Sequence, residues 1–235
     1  MTKRKKCTAI VLAGGKGKRM KADTAKQYLL LSGKPILYYS LKVFEDSFVD
    51  EVVLVAGKGE IPYCRTEIVN KYGLSKVSKI VEGGRERYHS VAAGLLAIEA
   101  CDYVFIHDGA RPFITEEILK CAYEAVDVYQ AAVVAVPAKD TVKIADEDCF
   151  AKETPNRSRV WLMQTPQVFS FFSIKAAYEK LLDKEQELLD TGIQITDDAM
   201  VMETFGQHRI KFVEGSYRNM KITTPEDLKI AEVLL

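Results

Sequence analysis

The sequence has few of the residues that build metal centres and no excess charge of either sign. Its 235 residues include only three histidines, and its five cysteines are scattered without a C-x-x-C pair. Because zinc sites and disulfide frameworks need closely spaced or paired ligands, we expect neither. Lys and Arg together number 33, as do Asp and Glu. Proteins that bind nucleic-acid backbones normally carry a basic excess, so we expect no nucleic-acid partner.

A long hydrophobic run is also missing. The longest apolar stretch, Ala131–Ala138, is far shorter than the roughly 20 residues of a membrane-spanning helix, so we expect no membrane segment. The basic start of the chain precedes an apolar run that ends at Gly14, too early for a signal peptide. We therefore expect a cytoplasmic protein with reduced thiols.

Short apolar runs alternate along the chain with segments of helical spacing. The apolar runs predict buried strands at Thr8–Ala13, Val52–Ala56, Tyr103–His107 and Ala132–Val136. The helical segments are Ile36–Phe44, Ile61–Tyr72, Arg87–Ala100 and Glu116–Val128. This alternation is typical of an α/β fold whose mainly parallel sheet carries helices on both faces. We predict one domain over residues 1–235, since chains of this length commonly fold as one.

Residues 139–164 depart from that pattern. The β-favouring stretch Thr141–Ile144 is followed by the polar turn Asp146–Asp148 and then by charged residues around Arg157. We interpret this region as a β-hairpin arm or an excursion from the main sheet.

The strongest local signal is the glycine-rich loop Gly14–Gly17, directly after the first predicted strand. Backbone N–H groups of such a loop can cradle anionic oxygens, and several basic side chains follow it. The loop is not a Walker A motif, because no Ser or Thr follows a Gly-Lys pair. It is not a dinucleotide fingerprint either, because Met20 stands at the third glycine position. A glycine turn with solvated lysines remains the alternative.

Three further positions are candidates for chemistry. Asp108 ends a predicted strand, where a carboxylate can hold Mg²⁺ through water with substrate phosphates completing the shell, or can simply cap the next turn. Gly83 opens a helix whose N–H groups could contact a base or ribose, or merely begin the helix. Lys221 lies on a predicted β-branched strand before the helix cap at Thr224, where a lysine is usually a solvated edge charge. His107 fits a core position better than a ligand position.

Taken together, these motifs resemble those of one family, the 2-C-methyl-D-erythritol 4-phosphate cytidylyltransferases. The resemblance covers the chain from about Thr8 to its end. The motifs that carry it are Gly15-x-Gly17-x-Arg19-Met20, Lys26-Gln27-Tyr28, Gly83-Gly84-x-x-Arg87-x-x-Ser90-Val91, His107-Asp108-x-Ala110-Arg111-Pro112, Asp140-Thr141-Val142-Lys143, Arg157, Gln164-Thr165-Pro166-Gln167, Thr196-Asp197-Asp198-Ala199 and Asn219-x-Lys221-Ile222-Thr223.

The resemblance implies a Rossmann-like nucleotidyltransferase that forms a homodimer through the arm. Its partners would be CTP and a sugar-alcohol phosphate, and its cofactor Mg²⁺ or another divalent cation. The reaction would transfer CMP from CTP to 2-C-methyl-D-erythritol 4-phosphate and release pyrophosphate. Such a reaction needs no general base, because a phosphate monoester is already anionic near pH 7. Positive charge and positioning would do most of the catalysis.

The resemblance also implies roles for individual residues. Arg19 and Lys26 would stabilise the transition state, and Arg157 and Lys221 would position the second substrate. CTP would be bound by Ala13, Gly14, Gly15, Gly17, Arg19, Lys26, Gly83, Arg87, Ser90 and Asp108. The second substrate would be lined by Asp108, Arg111, Thr141, Arg157, Thr165 and Lys221, some of them from the partner subunit. Asp108 would hold the metal through water.

Two positions differ from the family's usual pattern, since Gly14 and Gly109 stand where the family often has alanine. A sister family that uses ribitol 5-phosphate usually shows Ser-Val at the position of Gly109-Ala110, so methylerythritol phosphate is favoured. A catalytically silent nucleotide-binding module is the alternative of another class. An NAD-dependent oxidoreductase is disfavoured by the missing third glycine.

The neutral total hides an uneven distribution of charge. Ten of the 33 basic residues lie within the first 34 positions, where Asp23 is the one acidic residue. The basic surplus therefore surrounds the first glycine loop, where a triphosphate would need it.

Overall fold

The structure, a computed structural model, describes residues 4–15 and 25–235. The strands are β1 (Cys7–Ala13), β2 (Leu30–Leu31), β3 (Lys34–Pro35), β4 (Glu51–Ala56), β5 (Val77–Glu82), β6 (Tyr103–Asp108), β7 (Ala131–Pro137), β8 (Ile144–Ala145), β9 (Ala151–Glu153), β10 (Trp161–Ser170) and β11 (Lys211–Glu214). The α-helices are α1 (Ile36–Asp46), α2 (Ile61–Tyr63), α3 (Arg87–Ala97), α4 (Glu116–Tyr129), α5 (Phe171–Asp183), α6 (Glu185–Asp190), α7 (Asp198–Phe205) and α8 (Pro225–Leu234).

Seven strands form a central sheet in the order β11-β7-β10-β6-β1-β4-β5. Strands β1, β4, β5 and β6 are mutually parallel, as the βα alternation predicts, and β11 is parallel to β7. Strand β10 is antiparallel to both of its neighbours. The mainly parallel α/β fold is confirmed. All four predicted strands are present within one or two residues of their predicted ends, while β5, β10 and β11 were not predicted.

Each face of the sheet is covered by helices that bury a separate apolar layer. On one face α1 and α4 place Phe44 and Leu119 against the sheet. On the other face α3 and α5 contribute Leu95 and Phe171. Alternate residues of β1 enter opposite layers, Val11 on the first face and Ile10 on the second. Two-sided burial explains why these strands are almost continuously apolar in sequence.

The helix predicted over residues 61–72 is present in altered form. It begins as α2 and continues as a π-helix over Cys64–Asn70. The helix cap predicted at Thr224 is confirmed, and a second helix is capped by Thr115. Thr115 accepts a hydrogen bond from the Ile118 N–H at α4, and Thr224 forms a capping box with Asp227 at α8. Within the described ranges, no helix is long and apolar enough to cross a membrane.

The arm predicted over residues 139–164 contains a short hairpin in which β8 and β9 pair antiparallel, apart from the central sheet. Ile144 and Phe150 of this hairpin are exposed. The arm ends earlier than predicted, because Trp161 already pairs with Pro137 in the central sheet. Residues 161–164 therefore belong to β10.

The predicted strand around Lys221 was wrong. Residues 220–223 have no regular secondary structure, and they run alongside the loop after β6, where the Ile222 N–H donates to the Ala110 carbonyl at 2.9 Å. β-Branched residues favour extended backbone, but within the described part of the chain this segment pairs with no strand.

Candidate active site

A cleft of about 850 Å³ opens at the carboxyl ends of the parallel strands β1, β4, β5 and β6. This is the edge at which open α/β sheets bind ligands. The three predicted ligand loops, at Gly14, Gly83 and Asp108, converge there. The lining residues are Leu12, Ala13, Gly14, Gly15, Lys26, Gln27, Gly57, Lys58, Glu82, Gly83, Gly84, Arg85, Glu86, Arg87, Ser90, Asp108, Ala110 and Lys221.

Lys26 is carried into the cleft by a 3₁₀ helix over residues 26–28. Gln27 is buried and its side-chain amide donates to the Ala13 carbonyl at the end of β1. The Tyr28 hydroxyl donates to Glu60 at 2.7 Å. Two consecutive side chains thus fix this turn against the sheet, and Lys26 lines the cleft together with Gly14 and Gly15.

Gly83 begins a tight turn between β5 and α3. Its N–H donates to the Ala56 carbonyl at 2.8 Å, and the next N–H, of Gly84, donates to the Ser90 hydroxyl oxygen at 3.1 Å. A Cβ on Gly83 would lie 2.7 Å from that hydroxyl oxygen. Glycine is therefore required for the loop to approach the start of α3 this closely.

Asp108 is the electrostatic centre of the cleft. Its carboxylate lies 2.8 Å from Lys221 Nζ, 3.6 Å from Arg87 Nε and 3.9 Å from Arg111 Nε. Burial alone would raise the pKa of this carboxyl, but the three cations outweigh burial and hold the pKa far below its ordinary value. The carboxylate therefore stays ionised at neutral pH and holds the three basic side chains around it.

Arg87 is held from behind by Asp198, a fully buried residue at the start of α7. The two terminal guanidinium nitrogens donate to the two carboxylate oxygens at 2.7 and 2.8 Å. The Tyr178 hydroxyl also donates to Asp198. Burial alone would lower the pKa of Arg87, but Asp198 and Asp108 outweigh burial and raise it. Arg87 therefore stands as a fixed cation between two carboxylates.

A chain of hydrogen bonds explains how His107 is satisfied in the core. The Asp108 N–H donates to the Thr165 hydroxyl oxygen at 3.1 Å, and this hydroxyl lies 3.0 Å from His107 Nδ1. His107 Nε2 lies 3.2 Å from the Arg111 carbonyl, an acceptor, so the proton belongs on Nε2 and Thr165 donates to Nδ1. Burial lowers the pKa of His107 to about 4. The core role predicted for His107 agrees with this environment.

Thr165 reaches Asp108 because β10 is irregular there. Its pairing with β7 shifts register between Met163 and Gln167. Such bulges redirect side chains and often lie next to functional sites. The Thr165 side chain contacts the end of β6, while the Gln164 side chain contacts Asn219.

The structure brings most of the predicted site residues together. Those lining the cleft are Ala13, Gly14, Gly15, Lys26, Gly83, Arg87, Ser90, Asp108 and Lys221. Arg111 and Thr165 contact Asp108 from the side. Gly17 and Arg19 lie outside the described residues. Thr141 and Arg157 lie exposed on the arm and do not line the cleft of their own chain, and Arg157 donates to the Lys139 carbonyl at 2.9 Å.

Asp198, Tyr178 and Asn219 support the site without having been assigned a role from the sequence. Asp198 and Asn219 lie in motifs that carry the family resemblance, but no local pattern shows that their side chains reach Arg87 and Thr165. Asp198 directly follows Asp197, and Asn219 directly follows Arg218, so neither stands out in the sequence as a buried hydrogen-bonding group.

Chemically, the cleft suits an anionic ligand with several phosphates. Lys26, Lys58, Arg85, Arg87 and Lys221 line it together with three glycine-containing turns. In residues 4–15 and 25–235, no group of three His, Cys, Asp or Glu side chains is arranged to hold a metal ion. The Asp108 carboxylate, an oxygen donor of the kind that Mg²⁺ prefers, lies in the cleft among these basic side chains.

The sequence model of the 2-C-methyl-D-erythritol 4-phosphate cytidylyltransferases, IspD, matches residues 7–235. The chain belongs to this family. An enzyme of that name from Lachnospira eligens is 52% identical over 229 residues, which cover 97% of this chain and 98% of the relative. One from Lachnoclostridium phytofermentans is 48% identical over 230 residues, covering 98% of this chain and 96% of the relative.

Solved structures agree with the family assignment. The 4-diphosphocytidyl-2C-methyl-D-erythritol synthase from Anaerococcus prevotii has a TM-score of 0.84 at 35% identity, covering 98% of this chain and 96% of the other. The 2-C-methyl-D-erythritol 4-phosphate cytidylyltransferase from Thermus thermophilus has a TM-score of 0.75 at 29% identity, covering 96% of each chain. The predicted resemblance and the predicted class of enzyme, a cytidylyltransferase, are confirmed, and the oxidoreductase alternative is excluded.

Proposed function

We propose that the protein transfers CMP from CTP to 2-C-methyl-D-erythritol 4-phosphate, giving 4-diphosphocytidyl-2-C-methyl-D-erythritol and pyrophosphate. The observation that carries this proposal is the single cleft in which Lys26, the Gly83 turn and the Asp108–Lys221 pair meet. Membership of a family named for this reaction supports it.

The reaction requires one phosphate oxygen to attack the α-phosphorus of CTP while pyrophosphate leaves. Two polyanions repel each other, so cations must offset their charge and hold them in line. Lys26, together with Arg19, stabilises the charge on the reacting phosphate. Lys221 and Arg111, held around Asp108 at 2.8 and 3.9 Å, face the second substrate. The attacking phosphate is already anionic, so no proton acceptor is needed.

The turns at the strand ends bind CTP. N–H groups of Gly14 and Gly15 approach the triphosphate, as the backbone donors of a glycine-rich loop can. The Gly83 turn and Ser90 hold the cytidine, and Arg87 stands as a fixed cation beside them. Asp108 would hold Mg²⁺ or another divalent cation, which would supply further neutralisation of phosphate charge.

The arm completes the site of a second copy of the chain. Arg157 and Thr141 do not line the cleft of their own chain, yet the resemblance assigns both to the second substrate. A homodimer in which the arms are exchanged brings them to the partner's cleft. The exposed Ile144 and Phe150 side chains of the hairpin supply apolar surface for that contact.

The proposal is tested by measuring pyrophosphate release from CTP with methylerythritol phosphate and with ribitol 5-phosphate in parallel. We expect turnover with methylerythritol phosphate and little with ribitol phosphate. Preference for ribitol 5-phosphate would show that the protein is instead a cytidylyltransferase for ribitol 5-phosphate. Absence of turnover with both substrates, in protein that binds CTP, would indicate a silent nucleotide-binding module.

The shared site is tested by subunit complementation. Lys26→Ala removes a residue of the cleft, and Arg157→Ala removes a residue of the arm, so each homodimer has two defective sites. A mixed dimer has one site in which both residues are intact, and we expect activity to reappear after mixing. Lack of recovery after proven subunit exchange would mean that the arm serves its own chain's cleft.

A further inference from the structure

Lys221 occupies a segment whose position no helix or strand fixes. Residues 220–223 are irregular, yet Lys221 Nζ lies 2.8 Å from the Asp108 carboxylate. Ordering a lysine side chain costs rotamer entropy, and a firmly placed backbone avoids a further ordering cost for this pairing. The placement must come from hydrogen bonds on either side of the lysine.

One anchor lies after Lys221 and a stronger one lies before it. After it, the Ile222 N–H donates to the Ala110 carbonyl at 2.9 Å. Before it, the fully buried Asn219 side chain donates to the Thr165 carbonyl at 2.9 Å and to Gln164 Oε1 at 3.2 Å. Both partners are acceptors, so the amide nitrogen of Asn219 must face β10.

The Asn219 backbone makes a third connection. Its carbonyl accepts a hydrogen bond from Arg111 Nη1 at 2.7 Å. Gln164 is itself fixed, because its amide nitrogen donates to the Ser216 carbonyl at 2.8 Å. Asn219 therefore ties together Thr165 on β10, Arg111 in the loop after β6, and the segment of Lys221. The Asn219 Oδ1 atom is buried and has no hydrogen-bond partner among residues 4–15 and 25–235.

We infer that Asn219 is a positioning residue for the second substrate. This inference rests on the proposed function, under which Thr165, Arg111 and Lys221 all face the methylerythritol phosphate. Asn219 contacts the first two and precedes the third by two residues, while cleft residues assigned to CTP alone, such as Ala13 and Ser90, are held by bonds to Gln27 and Gly84. Loss of the Asn219 amide should therefore affect one substrate far more than the other.

The test compares steady-state kinetics of the wild-type chain and Asn219→Ala. Small misplacements of positioning groups cost up to about 100-fold in rate, so we expect kcat/KM for methylerythritol phosphate to fall at least about tenfold at saturating CTP. The KM for CTP should stay within about twofold of the wild-type value. If Asn219→Ala does not fold, Gln164→Met removes one acceptor of the same amide and should give a smaller change in the same direction.

Ser47→Ala is the matched control. Ser47 is also buried and also makes two hydrogen bonds, to Phe44 at 2.9 Å and from Val49 at 3.2 Å, but it lies before the amino end of β4, at the edge opposite the cleft. The Ser47→Ala variant should be less stable than the wild-type protein without a change in the ratio of the KM for CTP to the KM for methylerythritol phosphate. A folded Asn219→Ala enzyme with unchanged kinetics, or with equal losses for both substrates, would overturn the inference. Wild-type protein without activity on this substrate pair would instead overturn the proposed function.

Discussion

The buried Arg87–Asp198 pair offers the sharpest test of how the site is supported. Asp198→Asn keeps the size of the side chain but removes its charge and replaces one acceptor oxygen with a donor. Arg87 then loses at least one of its two bonds, of 2.7 and 2.8 Å, and its charge loses its principal partner. Breaking a buried pair by removing one partner typically costs about 3–5 kcal/mol.

The expected loss lies at the lower end of that range. The Arg87 side chain is 26% exposed although Asp198 is not exposed at all, so solvent screens part of the charge left behind. We therefore expect the free energy of unfolding to fall by about 3 kcal/mol. For a chain of this size that loss lowers Tm by about 10 °C. The KM for CTP should rise as well, since Arg87 lines the cleft.

Urea unfolding of wild-type and variant protein measures the change in the free energy of unfolding. The comparison requires that this free energy depend equally steeply on urea concentration in both proteins. Asp197→Asn is the neighbouring control. Asp197 caps α7 by accepting from the Met200 N–H and also accepts from Gln167. Asparagine caps a helix as well as aspartate does, so the control should lose about 1 kcal/mol or less. If Asp198→Asn were no less stable than Asp197→Asn, Arg87 would not depend on Asp198 and the reasoning would be refuted.

Two further predictions concern the glycine turns and the buried histidine. Gly83→Ala should lower stability by about 1–3 kcal/mol and weaken CTP binding, because its Cβ would lie 2.7 Å from the Ser90 hydroxyl. Gly14→Ala should be tolerated, because its Cβ would lie 3.4 Å from its nearest neighbour. Calorimetry of the two variants measures this difference in stability. For His107, burial lowers the pKa to about 4 in the folded protein, while an unfolded histidine titrates near 6.5. Its contribution to stability is therefore complete above pH 6.5 and is lost as the pH falls towards 4, by about 3 kcal/mol in all. This part of the pH dependence should vanish in His107→Gln, and an identical pH dependence of the two proteins would contradict the assignment.

Local patterns predicted the elements that build the cleft. A strand buried on both faces must be apolar at successive positions, so β1, β4, β6 and β7 stand out in the sequence. Strand β10 does not, because the polar residues Gln164, Thr165 and Gln167 interrupt its apolar pattern. Strand β11 is short, and most of its residues are exposed, so it lacks the continuous apolar pattern. The predicted strand at Lys221 was wrong because a β-strand needs a second strand to pair with, and the local sequence does not show whether one lies beside it.

The family, the α/β fold and the three loops at the ends of the strands could be predicted from local sequence, since each depends on residue types at short spacing. Which side chains meet became clear from the three-dimensional structure. Asp198 lies 111 positions from Arg87, and Asn219 lies 54 positions from Thr165, yet each pair is joined by hydrogen bonds. Such contacts depend on how the chain returns across the sheet and on buried polar groups finding partners, which no local spacing encodes. The basic surplus near the amino terminus indicated where an anion binds, and the fold supplied the carboxylates that hold Arg87, Arg111 and Lys221 in place there.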